Sequence, residues 1–171
     1  NHLILDDSTD AIQAQLKSDE SHSSISLGHI TRVEDNTGRK DKRGTGAEIR
    51  TDGYGAIRAA KGMLITTQAR SGASSHITDL DEAHSELKQA HNQHKSTSQM
   101  ATDHQAFDKT EDAQTLDETL KDQNEQVKSK EPAKPNEGQF PELTAPHLVI
   151  HSVAGTELTT PKSTHLHSGE H

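Results

Sequence analysis

Thirteen histidines are the first chemistry this 171-residue sequence offers. His84, His91 and His94 fall at helical spacing on one face. The run HNQH sets His91 and His94 at i, i+3, near enough to share one ion. The flanking residues add no third ligand motif, and no HExxH pair occurs, so these are read as exposed helix histidines. His165 and His167 alternate with Leu166 and therefore point the same way along an extended strand, where solvent-facing side chains are expected. The paired carboxylates Asp6 and Asp7, or Glu34 and Asp35, would do acid–base work only in a pocket that raised one pKa. Both pairs sit beside turn residues, with little apolar material to wall such a pocket. GTGAEI lacks the third glycine of a dinucleotide fingerprint, GAIRAAKG lacks the spacing and the Ser or Thr of a phosphate loop, and no G-x-S-x-G elbow is present. The expectation is a chain with no catalytic residue, no cofactor and no metal site, in which His91, His94, His165 and His167 are the only weak metal candidates.

The elements that would have to hold these side chains are built from little apolar material. Only 27% of the residues are hydrophobic and 2% aromatic, without tryptophan, against roughly 45–50% apolar in an ordinary soluble domain. A chain this polar either stays largely disordered or buries its sparse apolar residues against copies of itself. The net charge of -9 argues against a nucleic-acid partner. The local cluster Arg39, Lys40, Lys42 and Arg43 in GRKDKRG, bracketed by glycines and free of aromatics, reads as a solvated turn. There is no cysteine and no apolar run near the ~20 residues that span a bilayer. The abrupt start on NHLILDD, without an initiating methionine, reads as an excised piece of a longer protein.

Four segments follow from periodicity and composition. Residues 1–75 are β-rich: in IQAQLK, Ile12, Ala14 and Leu16 alternate with Gln13, Gln15 and Lys17, and in SISLGHI, Ile25, Leu27 and His29 alternate likewise. These are half-buried strands, separated by the turn sequences DDSTD, EDNTG, RGTG and TDGYG. Residues 76–131 change to a helical period, with one seam of Leu80, Ala83, Leu87, Ala90 and His94 and a second of Ala113, Leu116, Leu120, Gln123 and Val127, as in a hairpin or coiled coil. Thr78 with Asp81 resembles a capping box. Residues 132–142 form a Pro/Gly linker. Residues 143–171 return to short extended pieces, HLVIHS, TELTT and STHLHS, too polar for a sheet with its own core. Stacked rungs of an intertwined oligomeric β-helix need only one or two apolar residues each.

The segments NHLILDD, QAQLKSD, SLGHITRVEDNTGRKDKRGTGAEIRTDGYGAIRAAKGMLITTQAR and FPELTAPHLVIHSVAGTELTTPKSTHLHSGEH closely resemble the central and C-terminal regions of the VgrG family, spike-tip proteins of bacterial type VI secretion systems. The likeness covers both β-rich zones and, in character and placement, the helical one. The sequence departs from the family in Ser8, Thr9 and Asp10 after LDD, in Ala60 where glycine is common, and in SVAGT at 152–156. The resemblance implies a mainly β fold, a homotrimer wound into a triangular β-prism with the helical segment inserted. Glycines would mark its corners and solitary apolar residues its shared axis. It further implies a non-catalytic puncturing needle, mounted on an Hcp tube, tipped by a PAAR protein or an effector or adaptor, and in transient contact with the target-cell membrane. The protein would wait in the bacterial cytoplasm before firing and then be secreted or delivered. Two other classes are the alternatives: an acidic, partly disordered linker that folds on binding, and a phage-tail-like cell-wall hydrolase, to which nothing in the chain is similar.

Overall fold

The computed structural model describes residues 1–33, 38–73, 75–106 and 113–169 and divides into two units, Asn1–Arg58 and Ala59–His171. Glu34 and Asp35, and with them most of the EDNTG turn, lie outside the described residues.

In the first unit, β1 (His2–Asp6), β2 (Gln13–Ser18), β3 (Ser23–Val33) and β4 (Arg39–Arg50) pair antiparallel in chain order. The first connection is the DDSTD turn. There the Ser8 amide and hydroxyl both donate to Asp6 Oδ1, at 2.9 and 2.5 Å, and Asp10 takes a φ of 60°, as these residue types allow. Gly28, with φ of 85°, faces Gly46 across the β3–β4 pair. A Cβ at Gly28 would run into the Ile12 carbonyl oxygen, which accepts the His29 amide at 2.8 Å, so only glycine fits.

The basic run corrects the sequence reading. GRKDKRG and RGTG are not turns; Arg39 to Gly46 lie inside β4, a strand of 12 residues against the 11 of β3. A strand needs only backbone pairing and tolerable side-chain neighbours, and here both arginines find partners. Arg43 holds Glu48 through two bonds of 2.6 Å, and Arg39 pairs with Asp6 at 3.0 Å. Register shifts at Ile30, Thr31 and Val33 bend the β3–β4 ribbon.

In the second unit, β5 (Met63–Thr66) and β6 (Leu148–His151) pair in parallel, Leu64 opposite Val149 and Ile65 opposite Ile150. Parallel neighbours require a long crossover. Here it contains α1 (Asp81–Asp103) and α2 (Ala113–Val127). The expected box at Thr78 does not form: Leu80 occupies the N-cap without a side-chain bond, and Asp79 Oδ1 accepts the Asp81 amide at 3.1 Å. Asp79, one residue nearer the helix, reaches what Thr78 does not.

The helices keep most of the expected seam, with Leu80, Ala83, His94, Leu116, Leu120 and Val127 buried or half-buried. Ala90 and Gln123 are exposed, while His84, His91 and His94 on α1 and Leu116, Leu120 and Asn124 on α2 are half-buried. Asn124 Nδ2 donates to the Leu87 carbonyl at 3.4 Å. Ala90 is too short to reach the partner helix, whereas the longer histidines fill the gap. Leu80, Ala83 and Val127 form the buried cluster, against which Leu64, Leu143 and Val149 pack. Within 132–142, Lys134 pairs with Gln139 around the Pro135–Glu137 turn. The Leu143 amide then returns to the Val127 carbonyl at 2.8 Å. HLVIHS supplies β6, but TELTT and STHLHS form no strand and are exposed. Among the described residues no helix is long and apolar enough to cross a membrane.

Candidate functional site

Strand register defines the two faces of the first unit's sheet. Leu3, Leu16, Ile25 and Ile49 stand directly opposite one another across all four strands, and Leu5, Ala14, Leu27 and Ala47 form the next row. Residues paired in this way project to one side, so the rows make one apolar face. Its large side chains are open to solvent, from 46% at Ile25 to 79% at Ile49.

The other face carries the polar residues, and they are the buried ones. Gln13 is 1% exposed, Gln15 7% and Ser26 0%. They are linked by hydrogen bonds: His2 Nε2 to Gln15 Oε1 at 2.6 Å, Gln15 Nε2 donating to Ser26 Oγ at 2.8 Å, and Thr31 Oγ1 donating to Gln13 Oε1 at 2.7 Å. The alternation read from IQAQLK and SISLGHI is present, but its sense is reversed within the chain, with glutamine inside and leucine and isoleucine outside. A paired network makes the polar burial tolerable. The apolar face has no such remedy and is suited to contact with another surface.

The residues singled out in the sequence are dispersed. His91 Nε2 meets Asp117 Oδ1 at 2.7 Å, with Lys95 at 3.6 Å from the same carboxylate, while His94 Nδ1 is buried without a hydrogen-bond partner. His165 and His167 do lie side by side, ring centroids 6.4 Å apart, and both are exposed. Asp6 serves its turn and Arg39; the Ser8 hydroxyl and amide, opposed by slight desolvation and helped by Arg39, hold its carboxyl below the ordinary range. That is the opposite of what a general acid needs.

The arrangement the sequence did not suggest lies at the base of the helical segment. The Glu142 side chain is fully buried, with His76 Nδ1 3.3 Å from Oε2 and Lys128 Nζ 3.2 Å from Oε1. Lys128 also meets Asp81, and Arg70 bridges Asp79 and Glu82. Burial presses the Asp79 carboxyl upward, but the Asp81 amide and Arg70, with Ser75 and His76, outweigh it, and its pKa lies below 3.8. His76, Asp79 and Glu142 carry no spacing motif in the sequence, since Glu142 arrives from beyond both helices.

His84 gives the hairpin a pH dependence. Burial first, then Lys88 on its own helix and Lys128 beyond α2, lower its pKa from 6.5, against smaller opposing effects of Asp81 and the Asn124 carbonyl. The folded state thus binds this proton less readily than the unfolded one, and the stability involved is lost as pH falls through 6.5 toward the folded value. His84→Gln is expected to shrink the drop in melting temperature between about pH 7.5 and about pH 5.5. Equal drops in both proteins, read by circular dichroism, would refute this.

Comparison with known proteins places these features in context. The family model described as putative type VI secretion system Rhs element Vgr matches residues 1–101. Over 75 residues the chain is 47% identical to the type VI secretion system spike protein VgrG2a of Pseudomonas aeruginosa, covering 43% of this chain and 9% of that protein. It is equally identical to VgrG2b of the same organism over 75 residues, 43% of this chain and 7% of the relative. The chain thus spans less than a tenth of either relative. Among solved structures it matches the VgrG spike from the Type 6 secretion system with a TM-score of 0.71 at 24% identity, over 99% of this chain and 59% of that one. The Tle1 effector bound to the VgrG spike gives a TM-score of 0.70 at 24% identity, over 99% and 48%. At that identity the two structures speak to the fold.

Proposed function

Because the chain belongs to the Vgr family of type VI secretion system Rhs elements, we propose that it is a non-catalytic segment of a secretion spike. In this reading three copies wind into a triangular β-prism that is driven outward on an Hcp tube, carries a PAAR-type tip or an effector, and touches the target membrane in passing. Before firing the protein resides in the bacterial cytoplasm.

The observation that carries this reading is the apolar face of the four-stranded sheet, Leu3, Leu16, Ile25 and Ile49 above all, which the chain's own residues leave open. A spike needs walls that hold together through their neighbours, and a paired or covered sheet leaves few frayed edges. The parallel β5–β6 pair fits the same scheme, since it stacks two segments far apart in sequence as successive rungs would stack. The helical hairpin between them supplies a side element that braces the prism or contacts an effector or adaptor. A solved relative is a VgrG spike with an effector bound, which supports cargo carriage as the role of the assembly.

The test is solution mass by light scattering together with circular dichroism. Three times the 18.6 kDa chain mass, with strand and helix signals together, is the expected result. A monomer without strand signal would favour an acidic linker that folds on binding. Deletion of 78–130 tests the hairpin separately: a shortened trimer that still binds cargo would remove it from the recognition surface.

A further inference from the structure

The histidines that are only weak metal candidates in the sequence turn elsewhere, yet among the described residues one set of metal-competent side chains does converge. His76, Asp79 and Glu142 offer one ligand atom each within 4.8 Å of one another. His76 and Asp79 precede α1, and Glu142 follows α2, so the three come from the two feet of the helical hairpin.

Three observations point to a cation. First, Glu142 is buried to 0% side-chain exposure; Lys128 Nζ lies 3.2 Å from its Oε1, but Oε2 and the His76 Nδ1 that faces it at 3.3 Å have no hydrogen-bond partner. Two facing polar atoms without partners are costly in a buried site. An ion coordinated by both would satisfy them. In a tetrahedral zinc site with bonds of about 2.0–2.1 Å, neighbouring ligand atoms stand about 3.3 Å apart, which is the separation between His76 Nδ1 and Glu142 Oε2, while Asp79 stands within 4.8 Å. Second, the charges do not balance. Lys128 divides itself between Asp81 and Glu142, and Arg70 between Glu82 and Asp79, so four carboxylates face two cations. Asp81 and Glu82 also face water, and a divalent ion would answer the negative charge left at the half-buried Asp79 and the buried Glu142. Third, a cavity of about 70 Å³ bordered by Arg70, His76, Asp79, Glu82 and His151 adjoins the cluster. It has room for water in an open coordination position.

We propose that His76, Asp79 and Glu142 bind one divalent transition-metal ion, of the zinc type, that ties the two feet of the helical hairpin together. One imidazole with two carboxylates suits zinc better than calcium or magnesium, which prefer oxygen alone. Phe140, its ring centroid 5.0 Å from that of His76, steadies the imidazole. The bound ion stiffens the hairpin against the β5–β6 pair.

Calorimetric titration of the 171-residue chain with zinc chloride tests this. One site well above the background of exposed histidines is expected, weakened roughly 100-fold by His76→Asn or by the near-isosteric Glu142→Gln, and unchanged in His91→Gln. Circular dichroism at 222 nm identifies any variant that loses its helices. Zinc-edge absorption of the wild-type 1:1 complex needs no variant: a shell with one imidazole and otherwise oxygen supports the site. No saturable binding, a site that survives His76→Asn in a folded chain, or a shell with two or more imidazoles would overturn it.

Discussion

Ile25→Glu is expected to abolish the proposed trimer and leave a monomer in light scattering. Ile25 stands third in the row Leu3, Leu16, Ile25 and Ile49, flanked on its own strand by Leu27 in the adjacent row. Covering each such side chain contributes roughly 1 to 2 kcal/mol at about 25 cal/mol per Å². An assembly that covers both rows in each of three copies gains on the order of tens of kcal/mol before ordering costs. A glutamate at Ile25 removes part of that gain and adds an unpaired carboxylate, whose desolvation costs several kcal/mol per copy. The strand itself survives, because β2 and β4 continue to pair with β3 through the backbone. Lys42→Glu, a charge change twice as large at an exposed position of β4, is the control and is expected to leave the mass unchanged. A trimeric Ile25→Glu protein would mean that this face is not what the copies share.

Leu80→Ala is expected to cost roughly 2–5 kcal/mol of the second unit's stability. Leu80 is 1% exposed, the most buried large apolar residue among the described residues, and sits where Ala83, Val127, Leu64, Leu143 and Val149 meet. Truncation would therefore loosen the hairpin from β5 and β6 together. Small domains hold only about 5–15 kcal/mol in all, so a large share of the total is at stake. The helical signal at 222 nm in urea reports it: with slopes of about 1–3 kcal/mol per molar, the midpoint should move by about 1 M or more. Leu87→Ala, at a site 38% exposed, should move it far less. Equal shifts for the two would place the hairpin's anchor elsewhere.

The pattern of elements was legible in the residues because it is local. Alternation in IQAQLK and SISLGHI marks strands, and the change to a helical period marks the hairpin, since each depends only on how side chains project from their own backbone. The family likeness was equally readable from ordered runs such as RTDGYGAIRAAKG. Which face of a strand is covered is a different kind of fact. Gln13, Gln15 and Ser26 became interior because β2 and β3 align hydrogen bonds that pair most of their polar atoms, all but Gln13 Nε2, and Leu16 and Ile25 became exterior for want of a cover within the chain. Only spatial neighbours decide that, and alternation is symmetric between the two outcomes.

The same limit explains the rest. GRKDKRG carries turn-like composition, yet pairing with β3 draws it into a strand, because backbone bonds to a neighbour override weak local preference. His91 and His94 stood out through short spacing, while His76, Asp79 and Glu142 meet only when the chain returns from α2. By itself the sequence determined the local periods, the scarcity of core material and the family. The tertiary structure alone decided the register, the buried side of the sheet and the carboxylate–imidazole cluster, because each rests on contacts between residues whose separation along the chain carries no local signal.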